Sequence, residues 1–306
     1  MFKTLLLSGA LLALPAFSAE KPSLRQITSE MKQGPEIQAL YKDSQKLEKD
    51  PSVSWAPLFK ANKTPWEKSQ AEFAASSSFV RGEIEDEKVL NGLMELLQLS
   101  MLKVRADSFQ NRWSEVQKNF ANWFLFAADF PYEESSLVGL RTTGVIRSLL
   151  LDEMERVQLK FGKEIGAQPE IRKWFLQVRA PWPVDRVLIS ESKRLLKPPM
   201  MSVAQAAAKA FQKNPYQTSA TVLAKVRGGQ SEGAELIKQI WREDDIRMMK
   251  SEINRIGKLK LRLAQAQYEQ EHKKPAAQVQ ELIQTGLLDQ VPIDYFSGRP
   301  LDLTSL

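Results

Sequence analysis

Between Phe109 and Ala127, the residues Phe109, Trp113, Val116, Phe120, Trp123 and Ala127 follow one another at steps of four, three, four, three and four. That spacing returns side chains to one face of an α-helix and scatters them over both faces of a strand. A seam of large apolar groups needs a partner helix to cover it. The same period recurs in Val89, Leu90, Leu93, Met94, Leu97, Met101 and Val104, and again in Val145, Ile146, Leu149, Leu150, Met154, Val157 and Phe161. Strand-like alternation bounded by turns is almost absent before the extreme C-terminus. The expected fold is mainly α: a helical bundle or an irregular array of helical hairpins, with a long C-terminal helix and a short extended C-terminal clasp. Aromatic positions on these helices are expected in the core.

Prolines and glycines punctuate the pattern. Phe130-Pro131 is expected to stop the aromatic helix, because the residue before proline disfavours α geometry. Breaks follow at 162–169, at Ala180-Pro181-Trp182-Pro183 and at Pro198-Pro199, with helices expected around Ile171 to Val178, over 184–196 and from Val203 to Phe211. Residues 218–227 read as a short strand or a helix. The longest helix is expected over 233–271, where Leu236, Ile237, Ile240, Ile246, Met249, Ile253, Ile256, Leu259 and Leu263 keep one face. At 1.5 Å per residue it reaches about 55 Å, with Gly257 as a point of bending.

The first residues read as an export signal. Lys3 supplies a positive start, Leu5 to Leu14 a short apolar run, Pro15 a break, and Ala16-Phe17-Ser18-Ala19 small residues for cleavage after Ser18 or Ala19. The run is short for a membrane span, and no later stretch reaches the length of one. The expected organisation is a signal peptide over 1–19, a polar N-terminal arm over 20–65 and one helical domain over 66–306, of which 276–306 is the clasp. Trp55, Leu58, Phe59 and Trp66 would pin the arm to the body; a partly disordered arm is the alternative. The expected location is periplasmic or secreted.

The chain has no cysteine, which excludes disulfides, thiolate zinc sites, thiol nucleophiles and a lipid-bearing N-terminal cysteine. Lysine and arginine number 43 against 37 acidic residues, a net charge of +6. Loss of Lys3 with the signal would lower it by one. So modest and dispersed an excess suits anionic envelope surfaces and does not specify nucleic acid. On the long helix, Arg247, Arg255, Lys258 and Arg262 share a face opposite Ile253, Ile256, Leu259 and Leu263. They form a candidate partner or polyanion surface, although Glu243, Asp244, Asp245 and Glu252 dilute its field.

Gly229-Gln230-Ser231-Glu232-Gly233 matches the G-x-S-x-G pattern of hydrolases. That pattern works when a strand, a sharp turn and a helix bring the serine to a histidine. The single histidine, His272, lies some 39 residues along the expected helix, about 55 Å away. One imidazole without a thiolate also makes no zinc site. The acidic run Glu83, Glu85, Asp86 and Glu87 lacks a calcium-loop glycine and fits a helix start. Carboxylate-only glycan hydrolysis needs only two placed acids. Helical periplasmic lytic transglycosylases use a glutamate followed by serine, a dipeptide found at Glu134-Ser135 and Glu191-Ser192. No catalytic, cofactor-binding or metal-ligating residue and no cofactor is assigned.

Residues 262–303 carry Tyr268, His272, Pro275, Leu282, Pro292, Asp294, Phe296, Ser297, Gly298, Pro300 and Leu301. This order resembles the tail of a loose group of exported bacterial helical proteins: a long helix ending in Tyr-x-x-x-His-Gly-x-x-Pro, then a short helix, then Pro-x-Asp-Pro-Phe-Ser/Thr-Gly-Lys-Pro-Leu. Type II secretion pseudopilins carry a shorter version. Lys273 stands here in place of the glycine and Tyr295 in place of the second proline, and a prepilin leader is absent. The resemblance implies no activity. By its chemistry the tail should be structural: Pro275 opens a helix over 276–288, Gly286 loosens its end, Asp294 and Ser297 bond backbone N–H groups in a turn, Gly298 takes positive φ, and Pro300 directs 301–303 into an extended strip. The expected function is a non-enzymatic envelope interaction or scaffold module, with an envelope protein or an anionic envelope polymer as partner. The alternative is a cofactor-free, peptidoglycan-active enzyme using carboxylates.

Overall fold

A computed structural model describes residues 23–74, 86–134, 137–166 and 243–306. The signal segment, the G-x-S-x-G stretch, Glu191-Ser192 and the helices expected between 171 and 211 lie outside the described residues. Among those described, the fold is mainly α: α1 Leu24–Ser29, α2 Gly34–Asp43, α3 Ser52–Ala74, α4 Glu87–Phe109, α5 Trp113–Glu134, α6 Leu137–Gly166, α7 Glu243–His272 and α8 Val279–Gln284. A 3-10 turn, Leu303–Ser305, follows. None of the described helices is long and apolar enough to cross a membrane.

Helix α4 is the centre. It packs against α1, α2, α3, α5 and α6. Of the expected stripe, Val89, Leu93, Leu97, Met101 and Val104 are buried and Leu90 and Met94 half-buried, while Leu96, Leu99, Leu102 and Ala106 on its other sides are buried too. Its C-terminal half is covered on most sides and takes the polar Ser100, Arg105, Asp107 and Ser108 into the interior with it. Asp86 starts it by accepting the backbone N–H of Lys88 at 2.9 Å, with Glu87 in the first turn; Glu83 and Glu85 lie outside the described residues. In its second turn, Gly92 lets α1 approach: a Cβ there would lie 2.6 Å from Cβ of Thr28.

The aromatic seam of α5 is buried throughout. Trp123 is fully enclosed and meets Phe73 of α3 edge-on at 4.8 Å, while Phe126 sits 4.3 Å from Phe73. Tilted and edge-on arrangements suit the ring quadrupoles and add to the burial. Contrary to expectation, α5 runs through Phe130-Pro131 to Glu134. Likewise, α3 contains both Pro57 and Pro65. An internal proline costs a helix about 3 kcal/mol; the packing of Trp55, Leu58 and Phe73 in one helix, and of Phe120 and Trp123 in the other, outweighs it.

Residues 23–65 hold α1, α2 and most of α3. Leu24, Ile27, Ile37, Tyr41, Leu47, Trp55 and Leu58 belong to the same buried cluster as α4, α5 and α6. Trp55 and Leu58 thus enter the core, and Phe59 and Trp66 pack half-buried against it. Within this stretch α2 ends at Asp43. In α6 the regular backbone lapses at Phe161 (φ −120°, ψ 26°), one residue before the expected break. Its ring lies edge-on to Phe109 at 5.1 Å and Trp113 at 5.8 Å, at the corner where α4 turns into α5.

Helix α7 packs on α6 through Ile256, Leu259 and Leu263. A second stripe, Leu261, Ala264 and Tyr268, belongs to a separate cluster with Ala276, Val279, Leu282, Leu287, Leu288 and Leu301. The tail therefore covers a face of α7 that α6 leaves open.

Candidate functional site

The α7–clasp face gathers most of the residues singled out in the sequence. Its turn is built on Asp294. That carboxylate accepts the N–H groups of Phe296 at 3.0 Å and Ser297 at 3.3 Å and the Ser297 hydroxyl at 2.6 Å. The backbone closes around it: Gly298 N–H donates to Asp294 O at 2.7 Å, Asp294 N–H to Arg299 O at 2.8 Å, and Leu301 N–H to Pro292 O at 2.8 Å. Gly298 holds φ 72°, a conformation without penalty only for glycine. Ile293 and Pro300 face each other in an antiparallel bridge. Burial alone would raise the Asp294 pKa, but the bonds from Ser297, Phe296 and Asn254 overcome it and hold the carboxyl below the ordinary aspartate range.

Asn254 of α7 fixes the turn in place. Its amide donates to Asp294, and its oxygen accepts the Tyr295 N–H at 2.7 Å. One turn along the helix, Gly257 leaves room for the strip: a Cβ there would sit 3.1 Å from both Leu301 Cδ1 and Pro292 Cβ. Gly257 thus serves close approach. One turn before Asn254, the buried Lys250 has its pKa lowered by desolvation, against the opposing charge of Asp294.

Further along, Tyr268 donates to Glu281 at 2.8 Å. The other oxygen of Glu281 accepts the N–H groups of Ala277 and Gln278 at 3.1 and 3.2 Å. This reach-back starts α8 at Val279, so α8 is shorter than the expected helix over 276–288 and Pro275 lies ahead of it. Gly286, at φ 72°, follows its end, and Leu287 N–H bonds Leu282 O at 2.8 Å. The Tyr268 bond lowers the Glu281 pKa and raises that of the phenol. His272 stacks on Tyr268 at 4.0 Å, and its Nδ1 lies 3.1 Å from the Tyr268 carbonyl. The end of the expected extended strip coils at Leu303.

The four basic residues expected to share a face have different surroundings. Arg255 points at α6: its guanidinium meets Asp152 at 2.5 Å and Glu155 at 3.2 Å. Burial would lower its pKa, but the bond and charge of Glu155 and the charge of Asp152 raise it. Arg262 donates to the Leu306 carbonyl at 3.2 Å. Arg247 is exposed and Lys258 half-buried. Helical angle placed all four opposite Ile253, Ile256, Leu259 and Leu263, and acidic residues of α6, 100 and 103 residues away in sequence, captured one of them.

On the tail, Pro292 and Asp294 are half-buried, while Phe296, Ser297, Gly298 and Pro300 are exposed. The Phe296 ring, 51% exposed, stands in water at the tip of the turn. Asn254, Lys250 and Glu281 were not singled out in the sequence. Their signal was there: Lys250, Asn254, Gly257, Leu261, Ala264 and Tyr268 recur at steps of three and four. The stripe mixes polar, small and aromatic residues and so does not read as apolar. Of the Glu-Ser pairs, Glu134 closes α5 and Ser135 lies outside the described residues. Among the described residues no group of three or more potential metal ligands comes together. Comparison with protein-family models, curated proteins and solved structures returned no match.

Proposed function

We propose that the chain is a non-enzymatic interaction module of the cell envelope, exported with loss of residues 1–18 or 1–19, and that the clasp turn is its presenting surface. One observation carries this reading. A phenylalanine is held half-exposed on a turn closed by backbone bonds and pinned to a long helix by Asn254. A rigid loop that keeps a ring in water loses little entropy when a partner covers that ring. The buried carboxylates support it as well: Glu153 and Glu252 are each engaged by an arginine, at 2.6 and 2.5 Å. The partner is an envelope protein with an apolar pocket, in preference to an anionic polymer, since Arg255 already has its counterions.

The test compares wild type with Phe296→Ser as affinity baits on solubilised envelope. The expected result is one protein retained by wild type and lost with Phe296→Ser at an unchanged thermal midpoint. Equal retention would defeat the reading. Mass spectrometry of the exported chain should find it starting at Ala19 or Glu20.

A second reading, a peptidoglycan-active enzyme using carboxylates, is favoured by Glu95. This half-buried side chain has its pKa raised by desolvation, as a general acid requires. It is followed by Leu96 and not by serine. Soluble fragments released from purified sacculi by wild type, and not by Glu95→Gln, would establish this reading over the first.

A further inference from the structure

We infer that two copies of this chain exchange their C-terminal clasps, residues 276–306 of each seating on α7 of the other. The clasp has its own apolar cluster with α7, separate from the main core. Among the described residues its polar attachments are also to α7. Gln265 donates to the Ala276 carbonyl at 3.2 Å, Tyr268 to Glu281 at 2.8 Å and Arg262 to the Leu306 carbonyl at 3.2 Å, while Asn254 accepts the Tyr295 N–H at 2.7 Å. Each of these contacts can be made as well between chains as within one.

What favours exchange is the hinge. Lys273, Lys274, Pro275, Ala277 and Gln278 are exposed. Lys273 adopts φ 60°, the left-handed region where a lysine is strained and a glycine is not. Opening the connector frees Lys273 from that conformation, and seating the clasp on a second copy restores its contacts with α7. A strained, short hinge beside a separable element is the condition under which swapping occurs at low cost. The exchange is reciprocal, so it closes at two copies.

The test uses two full-length variants. Gly257→Trp blocks the seat, where only 3.1 Å separates a Cβ from Leu301 and Pro292. Leu301→Asp spoils the clasp, whose Leu301 is buried. Neither variant can seat its own clasp, but one sound clasp and one sound seat exist in the mixture. Light scattering after chromatography should show a mixed species of two chains, with each variant alone monomeric. Wild type, partly unfolded and returned to native conditions at high concentration, should give a dimer fraction that Lys273→Gly lowers about tenfold. A mixture that stays monomeric alongside a monomeric wild type would overturn the exchange. So would a wild-type dimer indifferent to Lys273→Gly, because it would form through another surface.

Discussion

Arg105 and Glu153 form a two-pronged ion pair in which both side chains are fully buried. The guanidinium Nε lies 2.7 Å from one carboxylate oxygen and Nη2 2.6 Å from the other. Both Nη1 donors are used as well: they bond the Tyr41 carbonyl and the Ser44 hydroxyl, each at 2.7 Å, and the guanidinium lies over the Tyr41 ring at 4.4 Å. This one group ties α2, α4 and α6 together. Removing one partner leaves a bare charge in the core. Glu153→Leu should cost about 3–5 kcal/mol by urea denaturation, whereas Glu153→Leu with Arg105→Met should recover most of that loss. A single variant as stable as wild type would mean that the pair contributes nothing.

Two glycines should respond in opposite directions to alanine. At Gly92 the new methyl meets the Thr28 side chain at 2.6 Å and its carbonyl at 3.0 Å, so α1 must move. Gly92→Ala should destabilise by about 1–2 kcal/mol, overpacking outweighing the gain in helix propensity. At Gly162 nothing lies within 4 Å. Gly162→Ala should stabilise by about 0.5–1 kcal/mol. Thermal midpoints of the two variants, taken in one buffer, check both signs.

Asp294 makes the clasp sensitive to acid. Its folded pKa lies below the ordinary aspartate value of about 3.9. Its contribution is therefore complete above that value and lost as pH falls through the folded pKa. Exchange protection of the Gly298 and Leu301 amides, corrected for intrinsic rates, should fall in that window before the core opens. Asp294→Asn should remove the pH dependence and cost the clasp about 1 kcal/mol at pH 7, the bonds being partly exposed to water.

Glu95 should act in the opposite sense. Burial raises its folded pKa, so its ionised form costs stability at neutral pH. That cost is relieved as pH falls through the raised pKa, and the gain is complete near the ordinary glutamate value of about 4.3. The carboxylate sits over Gly34, where a Cβ would meet its oxygen at 2.0 Å. Glu95→Gln keeps the shape and should raise stability at pH 7 by about 0.5 kcal/mol, discounted for partial exposure. A variant less stable than wild type at pH 7, in a denaturation series from pH 4 to 8, would show that an attractive partner, not desolvation, governs this glutamate.

The helical class and its main seams were legible because they are local. Trp113, Val116, Phe120, Trp123 and Ala127 had to face one way, and all five are buried. The stop read from Phe130-Pro131 fared less well. Pro131 lies inside α5, since a local cost near 3 kcal/mol is small beside the burial of several aromatic side chains. In the tail, Asp294, Ser297 and Gly298 were readable for the same local reason: their partners lie within a few residues. Asn254 was not readable, because its partners lie 40 and 41 residues away.

By itself the sequence determined the helical period, the exclusion of thiol chemistry and the chemistry of the Asp294 turn, all properties of residues and their near neighbours. Only the tertiary structure decided which charges are structural. Arg105 meets Glu153 across 48 residues, and Arg255 meets Asp152 across 103. Whether an arginine is a free surface cation or a buried tie depends on what stands opposite it once the helices pack. Helical spacing fixes the direction in which a side chain leaves its own helix, and the partner's position is set by the fold alone.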